Sequence, residues 1–294
     1  MEGGLDDHCF MDKTRESQVS VIRMPYTDAK GPCIARALCQ TLWQQERYYL
    51  QIDSHMRFIR HWDTILIDML ARCPSPKAVL TGYPMGYTLP NNIPPYTYPT
   101  LLVANNFGAD NMLRLGAKLA NKPKLSEPVP SLFWIAGFSF SLATMIQEVP
   151  YDPHLEHLFF GEEMLMSTRL WTSGYDLYCP THAIIFHLWK RDHRPTFREV
   201  GSTELAIKQK QQSIKRLKVI LRMVDNNDGD LELAIEDKYN IGQQRTLEQY
   251  QEYCGVDFRQ QTITERAKRG GYDEALFLNP IMELAIKSQQ GLSV

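Results

Sequence analysis

Apolar and polar positions follow two different periods in the first third of the chain. Residues 19–23, 48–52 and 78–81 are short apolar or β-branched runs, which predict strands. Residues 32–42 and 58–72 carry apolar side chains at helical spacing, which predicts helices between those strands. Strands that alternate with helices are typical of an α/β sheet.

The middle of the chain continues this pattern around a proline-rich segment, residues 84–98, which we interpret as a long surface loop. The further predicted elements are strands at 98–105 and 112–118, a buried strand or turn at 133–140, a helix at 161–173 and a strand at 183–188.

The pattern changes near residue 201. Ile214, Leu217, Leu221 and Val224 mark one face of an amphipathic helix rich in Lys, Arg and Gln, and further polar helices follow. We therefore expect an α/β domain over residues 1–200 and a helical extension over residues 201–294 that packs against it.

Composition excludes several classes of protein. The net charge of −2 disfavours a nucleic-acid binder, which needs a basic excess to bind phosphates. No apolar stretch reaches the roughly 18 residues of a membrane span, and the acidic N-terminus lacks the apolar core of a signal peptide. The six cysteines are scattered and form no CxxC pair, which fits a reducing compartment. A cytoplasmic protein is expected.

The triplet Asp53-Ser54-His55 follows the predicted strand at 48–52. Residues i and i+2 of an extended segment point to the same side, so the carboxylate and the imidazole can share one metal ion. Ligands of open α/β sheets bind at the carboxyl ends of strands. One oxygen and one nitrogen ligand would suit Mn²⁺ or Mg²⁺ held together with a diphosphate. Such triplets are also common in loops without metal.

Two later features carry candidate chemistry. Glu162 and Glu163 follow Gly161 at the start of a predicted helix, where acids also simply complement the helix dipole. His187 ends an apolar run and precedes basic residues that include Arg191. A lone histidine after a strand is often structural, and a basic loop is often only solvated. The same loop could instead cover a diphosphate.

Several segments together resemble one known family. They are residues 30–36, 49–58, 134–140, 148–153, 159–163, 180–191 and 242–255, in this order. In this combination the chain resembles the cytoplasmic hydroxyproline N-acetylglucosaminyltransferases, which modify the small adaptor subunit of SCF ubiquitin ligases. The resemblance covers nearly the whole chain from about residue 19.

The resemblance implies a GT-A-like sheet and a retaining transfer of N-acetylglucosamine from UDP-GlcNAc to a protein hydroxyl. The partners that it implies are a UDP-sugar and a protein acceptor, an SCF adaptor subunit. It places Lys30, Arg36, Gly137, Trp189 and Arg191 with Asp53 around the nucleotide-sugar, and Glu162, Glu163 and Arg36 among the catalytic residues.

The chain is more distantly similar to the polypeptide N-acetylgalactosaminyltransferases. They also carry an Asp-x-His motif, a Gly-Glu helix start and a late histidine before a basic loop. By this resemblance Asp53, His55 and His187 are the protein ligands of Mn²⁺ or Mg²⁺.

One departure from the family keeps alternatives open. Its members usually begin with a strand that carries a Ser-Tyr-Arg-Asp-like signature and holds the uridine, and no such segment precedes Val19. Two interpretations stay open for a GT-A-like sheet: a truncated start, in which the first strand is lacking, or a divergent form with a crippled nucleotide site. An inactive relative that binds a glycan or a protein is the alternative function. A metal-dependent hydrolase that uses Asp53, His55 and His187 is disfavoured, because no H-E-x-x-H motif is present.

Overall fold

The computed structural model describes residues 13–189, 201–225 and 237–289. Arg191 and the basic residues around it lie outside the described residues.

The strands of the described ranges are β1 (Tyr48–Ile52), β2 (Met56–Phe58), β3 (Ala78–Thr81), β4 (Met85–Gly86), β5 (Thr100–Phe107), β6 (Leu113–Leu119), β7 (Val129–Pro130), β8 (Phe138–Leu142), β9 (Asp176–Cys179), β10 (Ile185–His187), β11 (Val256–Asp257) and β12 (Thr262–Ile263).

The α-helices of the same ranges are α1 (Pro32–Gln40), α2 (Trp62–Arg72), α3 (Met145–Glu148), α4 (Glu162–Thr172), α5 (Glu204–Ile220), α6 (Leu247–Cys254), α7 (Glu265–Lys268) and α8 (Pro280–Gln289). Short 3₁₀ turns occupy Lys13–Gln18, Tyr26–Asp28, Asp237–Tyr239 and Glu274–Leu276.

The main sheet is mixed and has the strand order β1-β8-β3-β9-β7. Strand β8 runs antiparallel to both β1 and β3, so β1 and β3 are parallel to each other, and β9 is parallel to β3. All four residues of β3 are buried at the centre of the sheet. The mixed α/β fold predicted from the alternating pattern is therefore confirmed.

The carboxyl ends of β1 and β3 lie at the same edge of this sheet as the start of β8. Asp53 follows β1 at this edge, Tyr83 lies two residues after β3, and Gly137 directly precedes β8. The register pairs Ile52 with Phe138, which places Asp53 beside Gly137. This edge collects the residues described in the next subsection.

A second, smaller sheet has the order β2-β10-β4 and adjoins that edge. Asp53, Ser54 and His55 connect β1 to β2, so the chain passes from one sheet to the other through the predicted metal motif. Strand β10 is antiparallel to β2 and pairs His187 with Met56. The small sheet thereby brings His187 to the segment that carries His55.

Three predictions were wrong in type or in length. The expected surface loop at 84–98 begins with four buried residues and includes β4. Residues 19–23 form no strand and are exposed, because an apolar run needs a neighbouring strand to complete its hydrogen bonds, and none pairs with it in the described ranges. The helix expected from residue 58 begins at Trp62, since residues 56–58 pair with β10 instead. The strands expected at 98–105 and 112–118 are present as the antiparallel pair β5 and β6.

The C-terminal region is helical, as predicted. Helix α5 starts at the Thr203 cap, whose side chain accepts a hydrogen bond from the Ala206 N–H, and it buries Leu217 in the core. Tyr250 of α6 is buried in the same hydrophobic cluster as Trp134 of the α/β part. The expected boundary at residue 200 lies outside the described residues.

Every helix of the described ranges is too short or too polar to cross a bilayer.

Candidate functional site

Asp53 is held against the backbone at the end of β1. Its N–H donates to the Gly137 carbonyl at 3.3 Å. A Cβ on Gly137 would lie 2.9 Å from Asp53 Oδ2, closer than side chains normally approach, so this position requires glycine for the observed carboxylate. The Asp53 side chain remains 40% exposed. The carboxylate is therefore fixed at its base but reachable from solvent.

Arg36 of α1 joins two segments that are far apart in sequence. Its Nη1 donates to both carboxylate oxygens of Glu162, at 2.5 and 2.7 Å, and its Nη2 donates to Asp53 Oδ1 at 2.7 Å. Burial disfavours the charged guanidinium, but Glu162, Tyr151 and Asp53 together outweigh this effect and raise the pKa of Arg36 above its ordinary value. Arg36 is thus a permanent cation between two carboxylates.

Helix α1 can hold Arg36 there because of how it begins. Pro32 occupies the first turn, where its missing N–H costs nothing. Gly31 has a φ of 96°, a left-handed conformation that glycine adopts without strain, and it packs against the His157 backbone. The turn at Gly31 therefore sets the direction in which the helix leaves.

Glu162 is buried in the first turn of α4. Besides the charged Arg36 it has a neutral partner, Tyr151. The Tyr151 hydroxyl donates to Glu162 Oε1 at 2.7 Å. Gln51 of β1 donates its amide to the Tyr151 hydroxyl at 2.9 Å and to the Ala136 carbonyl at 2.8 Å. A chain of polar groups therefore runs from the strand to the helix, and each link restricts where Glu162 can point.

Glu163 lies on the other side of the helix start and is half-buried. Its Oε1 accepts the Ala136 N–H at 3.2 Å, and its Oε2 accepts the Tyr83 hydroxyl at 3.2 Å. Burial raises the pKa of Glu163 to about 7, and the neighbouring Glu162 carboxylate adds to this. Glu163 can therefore exchange a proton near neutral pH.

Tyr83 was missed by the sequence reasoning. It carries no motif, but it follows β3 at the same sheet edge as Asp53, which is the one signal that marks it. Its hydroxyl bonds to Glu163, and burial raises the pKa of Tyr83 well above its ordinary value, so it acts as a donor to that carboxylate.

Trp189 extends the site toward the small sheet. Its ring meets the Tyr83 ring at 6.0 Å between centroids and the His187 ring at 4.4 Å, both edge-on. The His187 side chain is buried. The aromatic contacts connect the edge of the main sheet to the end of β10.

The backbones of the predicted metal ligands are neighbours. The Leu188 N–H donates to the His55 carbonyl at 3.3 Å, so His187 and His55 lie across one ladder, two residues from Asp53. His55 has a φ of 64°, in the left-handed region. A carboxylate and two imidazoles are a donor set that divalent transition metals accept.

The backbones of the three candidate ligands are close, but their side chains do not converge on one point. In the described part of the chain no group of three or more His, Cys, Asp or Glu side chains is placed to hold a metal ion. Asp53 Oδ1 is bound to Arg36 instead. The assignment of Asp53, His55 and His187 as metal ligands therefore stays a prediction.

Lys30 lies beside this network but has a different partner. Its Nζ binds Glu156 Oε1 at 2.6 Å, and its carbonyl accepts the His157 N–H. The role predicted for Lys30 at the nucleotide-sugar thus stays a prediction, as does that of Arg191 outside the described residues.

Comparison with known proteins places the chain in a family. A model of the family described as "Glycosyltransferase (GlcNAc)" matches residues 7–260. Curated protein sequences gave no match. Among solved structures, the chain is similar to GalNAc-T7, crystallised with UDP, GalNAc and Mn²⁺, at 14% identity and a TM-score of 0.45. This match covers 76% of the chain and 43% of that protein. The family match extends over most of the sequence and includes Arg36, Asp53, Gly137, Glu162 and His187, and the chain therefore belongs to the GlcNAc glycosyltransferase family.

Proposed function

We propose that this protein transfers N-acetylglucosamine from UDP-GlcNAc to a protein hydroxyl, that of hydroxyproline, with retention of anomeric configuration. Family membership supports glycosyl transfer. The observation that carries the proposal is the Arg36 bridge, which joins Asp53 at a strand end to Glu162 at a helix start. This bridge places charged groups at the sheet edge where ligands of α/β sheets bind.

The donor site is proposed to lie between Arg36 and Trp189. Arg36, with Lys30 and Arg191, would face the negative charge of the diphosphate, and Trp189 would lie in the lid over it. Gly137 leaves space beside Asp53 for the sugar ring, since a side chain there would collide with the carboxylate. Glu162, fixed by Arg36 and Tyr151, would accept hydrogen bonds from the sugar hydroxyls.

Asp53, His55 and His187 would hold Mn²⁺ or Mg²⁺ in this proposal. Such an ion stabilises charge that grows on a leaving diphosphate, an effect worth several kcal/mol. Asp53 is 40% exposed, so its carboxylate is accessible to an ion that competes with Arg36. One carboxylate and two imidazoles are donor types that fit a divalent transition-metal ion.

The reaction breaks the bond between the anomeric carbon and the phosphate oxygen and forms one to the acceptor oxygen. We propose attack from the face that UDP leaves, which needs no protein nucleophile. The hydroxyl proton then goes to the leaving phosphate. Arg36 supplies a fixed positive charge near the departing group, and its position requires no reorganisation during the reaction.

The identity of the acceptor rests on the family resemblance, whereas the location and the domain boundary rest on the composition and pattern of the sequence. The acceptor is an adaptor subunit of an SCF ubiquitin ligase, and the protein acts in the cytoplasm. Residues 1–200 form the catalytic domain, and residues 201–294 form an extension that supports α4 from outside.

The test is UDP release from UDP-GlcNAc in the presence of Mn²⁺. We expect turnover by the native chain and its loss, by about 100-fold or more, in Asp53→Ala. Asp63→Ala removes an exposed carboxylate of α2 and serves as the matched control. Unchanged turnover in Asp53→Ala would refute the proposed site.

Calorimetry with UDP and Mn²⁺ distinguishes the transferase from the alternative function, that of an inactive relative. Binding without turnover in the native chain would indicate the inactive relative that binds a glycan or a protein. No binding and no turnover would refute the transferase proposal.

A further inference from the structure

Exposed aromatic side chains are concentrated at the candidate site. Among the Phe, Tyr and Trp side chains that the structure describes, the exposed ones are Phe159 (40%), Phe160 (43%) and Trp189 (38%). Trp189 contacts Tyr83 and His187, and the two phenylalanines directly precede Gly161 and Glu162. Aromatic groups left in solvent together mark a surface that binds a partner.

The two phenylalanines form one rigid surface. Their rings meet edge to face, with centroids 5.0 Å apart and planes at 84°. The Arg114 guanidinium lies 3.6 Å from the centroid of the Phe160 ring and supports it. Such contacts hold the rings in place before a partner binds, which lowers the entropy cost of binding.

Arg114 is itself fixed and electrically compensated. Its Nη2 donates to both Asp110 oxygens, at 2.7 and 2.8 Å, and its Nη1 donates to the Met112 carbonyl at 2.8 Å. Because Asp110 already binds this guanidinium and its face lies against the Phe160 ring, the surface favours a neutral, apolar occupant.

The surface lies next to the catalytic centre. Phe160 is two residues before Glu162, and two residues of chain span at most about 7 Å. Glu162 binds Arg36, which binds Asp53. The Phe160 and Glu162 backbones are therefore close, and an occupant of the phenylalanine pair lies beside the start of α4.

We propose that Phe159 and Phe160 form a platform for the acceptor polypeptide and bind an apolar residue that flanks the acceptor hydroxyl. This inference rests on the proposed transferase function and adds a sequence preference to it. The platform selects acceptors by their neighbours in the polypeptide chain, while the Arg36 side of the site binds the donor.

The test compares two fluorescein-labelled peptides that contain one hydroxyproline, flanked either by leucines or by serines. Fluorescence anisotropy measures their binding to the native chain, Phe159→Ala and Phe160→Ala. UDP release without acceptor is measured on the same proteins. Ile281→Ala removes a 79% exposed apolar side chain of α8 and is the control variant.

We expect the native chain and Ile281→Ala to bind the leucine peptide at least about tenfold more tightly than the serine peptide. Phe160→Ala should lose this preference by weakening only the leucine peptide, with Phe159→Ala showing a smaller loss. UDP release without acceptor should stay within about twofold, because Arg36, Asp53 and Glu162 are held by hydrogen bonds in which a phenylalanine ring takes no part.

Equal binding of both peptides by the native chain, or a preference that survives in Phe160→Ala, would overturn the platform. A leucine preference without any UDP release would instead leave the platform standing and remove the transferase function. UDP release without a leucine preference would support the transferase function and remove the platform.

Discussion

Among the arginine–carboxylate contacts that link distant parts of the described chain, those of Arg216 and Arg36 differ in their access to water. Arg216 of α5 binds Asp152 at 2.6 Å, with side chains that are 7% and 0% exposed. Arg36 binds Glu162 and Asp53, and the Asp53 side chain is 40% exposed. One contact is closed on all sides, while the other opens to solvent at a single carboxylate.

The difference separates a structural contact from a functional one. The closed pair attaches the C-terminal helix α5 to the segment before α4, and a ligand cannot reach it. The open contact has one guanidinium between two carboxylates and keeps Asp53 available. Buried charge is costly to leave unpaired, whereas an exposed carboxylate is hydrated when its partner is lost.

Asp152→Asn and Asp53→Asn test this comparison directly. We expect Asp152→Asn to lower the free energy of unfolding by about 3–5 kcal/mol, because it leaves the Arg216 charge buried without its partner. Asp53→Asn should change it by less than about 1 kcal/mol, since Arg36 keeps Glu162 and water reaches the site. Urea denaturation at pH 7 measures both.

UDP release on the same variants completes the contrast. Asp53→Asn should abolish turnover while the protein remains folded. Equal destabilisation by the two variants would show that the open contact is also structural.

The raised pKa of Glu163 predicts that the free energy of unfolding depends on pH. This effect should be smaller than that of Asp152→Asn and larger than that of Gly137→Ala. Its pKa is about 7 in the folded protein and about 4.5 in the unfolded chain. Between these values the folded state binds more protons, so stability from this group is present below pH 4.5 and falls as pH rises to 7. Glu163→Gln cannot titrate and should gain about 1–3 kcal/mol over the native chain across this interval.

Urea midpoints at several pH values from 4 to 8 measure this difference, in which the titrations of other groups largely cancel. A difference between native chain and variant that stays constant with pH, or that shrinks as pH rises, would contradict the buried environment of Glu163.

Gly137→Ala should cause the smallest loss among these variants, in activity more than in stability. The added methyl group would lie 2.9 Å from Asp53 Oδ2 and must push the carboxylate away from Arg36. We expect a loss of about tenfold in kcat/KM for UDP release and a change in unfolding free energy below about 1 kcal/mol. Gly116→Ala, whose methyl group meets the Asn105 amide at 2.5 Å on the β5–β6 hairpin, is the matched control.

Gly116→Ala should leave turnover unchanged. Comparable losses in the two alanine variants would show that the effect is a general one of glycine replacement and not a displacement of Asp53.

Much of the site could be predicted from the sequence because its residues occur in short motifs at the ends of regular elements. Asp53 follows a strand and Glu162 follows Gly161, whereas Arg36, inside α1, was predicted only from the family resemblance. The contacts among these three residues join positions 17 and 126 apart, and no local pattern encodes them.

Tyr83 and Tyr151 show where sequence reasoning fails. Each is one tyrosine among many, and its importance comes from a hydrogen bond to Glu163 or Glu162 across the fold. Residues 19–23 show the opposite failure, because a strand-like run forms no strand without a neighbour.

The sequence by itself determined the α/β alternation, the β5–β6 pair, the helical C-terminal region and the chemical types at the sheet edge, because these depend on local periodicity and on which residues end each element. Only the tertiary structure decided that Arg36 holds Asp53 and Glu162 together, that Arg216 is sealed against Asp152, and that Phe159 and Phe160 remain in solvent. Those outcomes depend on distance and on access to water, which arise when segments far apart in the chain pack against one another.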